Sequence, residues 1–118
     1  MSKNEVVLLE AKDVYKGGFN SSTNKTHCLL GWCNKEFPDS KWNRRAKSKI
    51  RQVINNECNF DGMDEIMYEM KISMNPIDII KFNDNYSTPR RLIARVWNRA
   101  MYLLGYTEGN PESGPLDE

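Results

Sequence analysis

The sequence predicts an all-α, compact single domain of about five helices. Apolar residues recur at three- and four-residue spacing along most of the chain, the period of a helix with one buried face. The periodic segments are separated by polar stretches rich in Gly, Pro, Asn and Ser, which stop helices and make turns. No run alternates apolar and polar residues over six or more positions, and no Asn-Gly or Asp-Gly lies between two strand-like runs. A sheet therefore has little support, although VVLL at residues 6–9 and IDII at residues 77–80 are apolar enough to form short strands.

Over residues 4–16, Val7, Leu8, Ala11, Val14 and Tyr15 fall at helical spacing, and Gly17-Gly18 supplies a stop. Thr26 is placed to cap a second helix over residues 27–37, which Pro38 ends. Ser40 is placed to cap a third, with Trp42, Ala46, Ile50, Val53 and Ile54 as its apolar stripe. A fourth begins at Asp61 and gathers Met63, Ile66, Met67 and Met70 on one side, an adaptable packing surface. Ser87 or Thr88 before Pro89 signals the start of the last helix. Its broad apolar face comprises Leu92, Ile93, Val96, Trp97, Ala100, Met101 and Leu104, with Gly105 placed as the C-terminal cap. Trp97, in mid-stripe, is expected to be buried against the helix at residues 27–37. The globular domain is read as residues 1–105, and residues 106–118 as a disordered acidic tail.

Composition narrows the functional classes. A length of 118 residues with 39% hydrophobic and 10% aromatic content fits one folded domain. The formal net charge is +1, so attraction to a polyanion must come from charge placement. No segment approaches the roughly 20 apolar residues of a spanning helix, so no membrane partner is expected. Three cysteines without a disulfide-framework spacing fit a reducing, cytoplasmic setting.

The stretch THCLLGWCNKEF places the single histidine, His27, beside Cys28. A cysteine at a helix start can carry a lowered pKa. Adjacent helical side chains diverge by about 100°, however, so His27 is badly placed as a base for Cys28. Cys28, Cys33, Cys58 and His27 lack the spacing of a zinc knuckle. A buried helix in which Cys acts as a small hydrophobe and Gly31 allows close approach accounts for the same residues, and no metal or cofactor is expected. Further on, Phe82-Asn83-Asp84 precedes Ser87-Thr88-Pro89. Asn and Asp here can serve loop structure, or Asp84 can project a carboxylate into a cleft shared with the Cys28 helix.

These two motifs together, Cys28 to Gly31 followed by Phe82 to Asp84, a nearby Thr and a closing Ala- and Leu-rich helix, resemble a family of small proteins of actinobacteria and phages with no established activity. Its pattern reads approximately C-x-L-G-A, a long gap, then W-N-D-x-x-x-T. This chain departs from it at Trp32, where the family carries a small residue, and has a long charged insert between the motifs. The resemblance implies a compact α-rich domain and marks Cys28, Gly31, Asn83 and Asp84. It implies no reaction.

Charge placement is the other lead. Segment 41–51 holds six basic residues and no acid, and segment 90–99 four arginines and no acid. Against them, residues 57–69 hold five acids and no base, so the molecule is expected to be a strong dipole. Arg91, Arg95 and Arg99 are spaced one helical turn apart and are expected to line an outward stripe, which Arg44 and Arg45 extend if their helices pack side by side. Such a stripe suits phosphates or an acidic protein surface, and it is also what a solvated helix face looks like. The function expected is a small non-enzymatic interaction protein, of the kind carried by phages and mobile elements, which engages a host protein through basic helices. Thirteen asparagines with many Lys and Ile agree with an AT-rich phage-type genome. A nucleic-acid partner is the alternative, and an enzyme built on Cys28 and Asp84 is the third class.

Overall fold

The computed structural model describes residues 6–17, 25–57, 78–86 and 88–107. These form four α-helices: α1 (Leu29–Glu36), α2 (Ser40–Gln52), α3 (Ile79–Asp84) and α4 (Arg90–Leu103). Among the described residues there is no sheet, only one parallel bridge between Val14 and His27. The mostly helical architecture agrees with the sequence. The helix expected after Asp61 and the bulk of the acidic tail lie outside the described residues.

Among the described residues helix α4 is the most extensively buried. Residues 92–97 are all buried, so at mid-length it is enclosed on every side. It packs against α2, the turn that continues α2, and the N-terminal segment. Trp97 is fully buried, with its ring centre 6.5 Å from that of Phe37, the residue that closes α1. The expected burial of Trp97 is observed, and of the helix expected over residues 27–37 its ring meets the closing residue, Phe37. At its C-terminus Gly105 takes φ +85°, Tyr106 donates to Met101 and Gly105 donates to Tyr102. This is a Schellman closure, and its left-handed residue is the expected glycine. It turns Tyr106 inward onto Phe37, ring centres 5.4 Å apart, so the packed domain continues one residue beyond the boundary expected after Gly105.

Three expectations are corrected. The helix expected over residues 4–16 is not formed by its described residues: residues 6–10 carry no regular secondary structure and lead into a single tight turn, Ala11–Asp13. The backbone of this segment is satisfied by distant side chains. Leu9 N–H donates to Asn98 Oδ1 at 2.8 Å, Asn98 Nδ2 donates to the Leu9 carbonyl at 3.0 Å, and Trp97 Nε1 donates to the Val7 carbonyl at 2.8 Å. Asn98 thus exchanges two hydrogen bonds with one residue as a neighbouring strand would, without any strand being there. VVLL forms no strand and joins no sheet. Secondly, the described part of IDII is helical: Ile79 and Ile80 begin α3, where Asp78 Oδ1 accepts from Lys81 N–H at 2.8 Å. Thirdly, helix starts shift by one or two residues. Cys28 rather than Thr26 precedes α1, Asp39 rather than Ser40 caps α2, and Pro89 stands at the N-cap of α4 with no side-chain bond. Asp39 outcompetes Ser40 because a carboxylate both accepts the Lys41 N–H, at 2.9 Å, and complements the helix dipole.

Candidate functional site

The two segments singled out in the sequence, Cys28 to Gly31 and Phe82 to Asp84, meet in space, and their polar groups are engaged with backbone. Asn83 is 1% exposed. Its Oδ1 accepts the Leu29 N–H at 3.1 Å and its Nδ2 donates to the Tyr15 carbonyl at 3.0 Å, joining α3 to the start of α1 and to the N-terminal segment. Asp84 Oδ1 accepts from Gly17 N–H and from Asn83 Nδ2, both at 3.0 Å. Gly17 is at φ +102°, a left-handed conformation that suits glycine. Around this knot Lys16 Nζ donates to the carbonyls of Asn85 and Thr88, and Arg90 Nε donates to that of Val14. Burial, reinforced by Arg90, lowers the Lys16 pKa, while Asp84 opposes the shift. The arrangement is a clasp on irregular backbone, in keeping with the structural side of the two readings open for Asn83 and Asp84.

Cys28 sits at the edge of this clasp. It is buried, and its Sγ accepts from the Gly31 N–H at 3.5 Å. Burial raises its thiol pKa, the amides of Gly31 and Leu30 pull it down, and Asp84 pushes it up further. His27 offers Cys28 no base: its ring lies edge-to-face on Trp32, centres 4.6 Å apart, and burial, with Lys35 nearby, holds its pKa below the ordinary value. Cys33 is more deeply enclosed, its pKa pushed up to about 12 by burial. A thiolate is thus disfavoured at both positions. Iodoacetamide is expected to label Cys28 and Cys33 slowly in the native protein and rapidly in urea. Fast native labelling of Cys28 at neutral pH would overturn this assignment. Among the described residues no group of three or more His, Cys, Asp or Glu could hold a metal ion, and no helix is long and apolar enough to cross a membrane.

The arginine row of α4 differs from the expected open stripe. Arg95 is only 7% exposed, Arg91 and Arg99 are half-buried, and all three make interactions within the fold. One-turn spacing places them on one side of the helix, and that side is partly covered, most fully at Arg95. Arg44 and Arg45 are exposed on α2, so they extend no open stripe on α4.

The open basic face belongs to α2. Its inward stripe is Ala46, Ile50 and Val53, with Trp42 half-buried at one edge. At about 100° per residue, Arg44, Ser48 and Arg51 lie on the far side from Ala46, with Lys47 on one flank and Lys41 and Arg45 on the other. Lys41, Arg44, Arg45, Ser48, Arg51 and Gln52 are exposed, and Lys47 and Lys49 half-exposed. No acid interrupts the helix after the Asp39 cap. The Lys41 Nζ and Arg45 Cζ lie 5.1 and 5.5 Å from the Trp42 ring centre, so cation–π contacts keep two of the charges along that edge. Asn43 holds the helix in place by donating to the Phe37 carbonyl at 3.1 Å and to Asn34 Oδ1 at 3.0 Å. The signal in the sequence was the acid-free segment 41–51. Lys41, Ser48 and Arg51 belong to the surface beside Arg44 and Arg45. Comparison of the chain with protein-family models, curated proteins and solved structures finds no match, so the reading of this surface rests on its own residues.

Proposed function

We propose that the chain is a non-enzymatic binding protein that engages an anionic macromolecule through the outer face of α2. The observation that carries this reading is the exposed, acid-free array of Lys41, Arg44, Arg45 and Arg51 on a helix pinned at both its inner stripe and its first turn. A molecule of net charge +1 has no general attraction for polyanions, so a concentrated local patch is what would create one. Cations carried on an ordered helix backbone bind at a lower ordering cost than cations on a loop.

The test is retention on heparin resin. The parent should elute well above physiological salt. Reversing Arg44, Arg45 and Arg51 to Glu should abolish retention while leaving the melting temperature nearly unchanged, because exposed charges contribute little to stability. The control carries the same change of net charge elsewhere: Lys12→Glu, Lys25→Glu and Lys81→Glu, all at exposed positions. It should retain most of the binding. Equal losses in the two triple variants would show that total charge, not α2, governs the interaction.

A further inference from the structure

Resting on that reading of α2, we infer that the partner is duplex DNA, with α1, the turn at residues 37–39 and α2 acting as a helix-turn-helix whose second helix enters the major groove. The connection has the right size: eight residues of α1, three of turn, then thirteen of α2. Helix-turn-helix units join their helices through three or four residues and present the outer side of the second helix to the groove. Here the turn is fixed rather than slack. Phe37 is buried, Asp39 caps α2, and Asn43 ties the turn and the end of α1 to the first turn of α2.

The chemistry of the outer face separates DNA from an acidic protein. A protein interface needs a desolvated centre built on aromatic or aliphatic anchors and is depleted in lysine. The exposed positions of α2 from Lys41 to Gln52 include no apolar side chain. They are instead Arg, Lys, Ser and Gln, the residues that hydrogen-bond base edges and phosphates in the major groove. Cations also flank the central Arg44, Ser48 and Arg51 on both sides, Lys47 on one and Lys41 with Arg45 on the other. A helix seated in a groove about 12 Å wide meets a phosphate wall on each side. Single-stranded nucleic acid fits less well, because it is held by stacking on open aromatic faces. The one aromatic of α2, Trp42, is half-buried and already carries Lys41 and Arg45 on its ring.

Fluorescence anisotropy of the whole chain with a labelled random-sequence duplex of about 20 base pairs, with either single strand, and with poly-glutamate tests this directly. The duplex should bind at least about tenfold more tightly than the others, and its affinity should fall steeply with salt. Arg44→Gln with Arg51→Gln should weaken duplex binding by about tenfold or more and flatten the salt slope by about two. The circular dichroism spectrum and melting temperature should be retained. Equal or tighter binding of a single strand or of poly-glutamate, lost in the same variant, would overturn the duplex assignment and leave the α2 surface standing. Absence of binding to all three, or binding unchanged by the substitutions, would overturn both.

Discussion

Replacing Trp97 with alanine is expected to lower the unfolding free energy by about 3–5 kcal/mol, the range for a large aromatic removed from a core. Trp97 is fully buried in α4, the helix that packs against α2, the turn that continues α2 and the N-terminal segment. Two losses combine. The indole volume next to Phe37 becomes a cavity, and the Val7 carbonyl, which accepts from Nε1 at 2.8 Å, is left without that donor. Trp97→Phe separates them, since it restores much of the volume but not the donor. It is expected to recover more than half of the deficit. Urea unfolding of the three proteins checks the ordering, and an alanine variant with an unchanged midpoint would mean that α4 is not the core. Domains of this size have only about 5–15 kcal/mol in total, so the alanine protein should be close to its folding limit at 37 °C.

The second large effect is expected at Asn83. Asn83→Leu fills a similar volume but removes the acceptor for Leu29 N–H and the donor to the Tyr15 carbonyl. Each backbone group so stranded costs about 1–3 kcal/mol, giving a loss of about 2–6 kcal/mol. Asn83→Asp is informative because it keeps the acceptor and replaces the donor by an oxygen facing the Tyr15 carbonyl and Asp84. Its ionised form is disfavoured there by burial and by the neighbouring carboxylate, and only its protonated form can donate. The Asp variant should therefore be most defective at neutral pH and approach the parent as pH falls. Thermal melts of both variants at neutral and mildly acidic pH measure this. A near-neutral effect of Asn83→Leu would remove the clasp as the role of the motif and reopen the cleft reading.

Much of the helical framework was legible because its signals are local. The stripes of α2 and α4 follow helical periodicity, Pro38 ends α1, and Gly105 closes α4 through a backbone conformation that glycine adopts without strain. The N-terminal segment was misread for a nonlocal reason. Val7, Leu8, Ala11, Val14 and Tyr15 have helical spacing, yet the hydrogen bonds that hold the backbone of Val7 and Leu9 come from Trp97 and Asn98, about 90 positions away. Periodicity carries no trace of a side chain that substitutes for a strand. The arginine row was misassigned for a related reason. Arg91, Arg95 and Arg99 share one side of α4, but whether that side meets water depends on what packs around the helix, and periodicity within α4 cannot say so. The basic face of α2 was visible only as charge density at residues 41–51. Its concentration on the outward side became clear once Ala46 and Ile50 were seen to point inward.

The central claim, that α2 is the binding surface, is tested most directly by mapping backbone amide shifts during titration of the labelled protein with a short heparin oligosaccharide or duplex DNA. The largest changes are predicted at residues 41–52, with none of comparable size at Arg91, Arg95 or Arg99. Maximal shifts along α4 or at the Cys28–Asp84 clasp, with α2 silent, would contradict it.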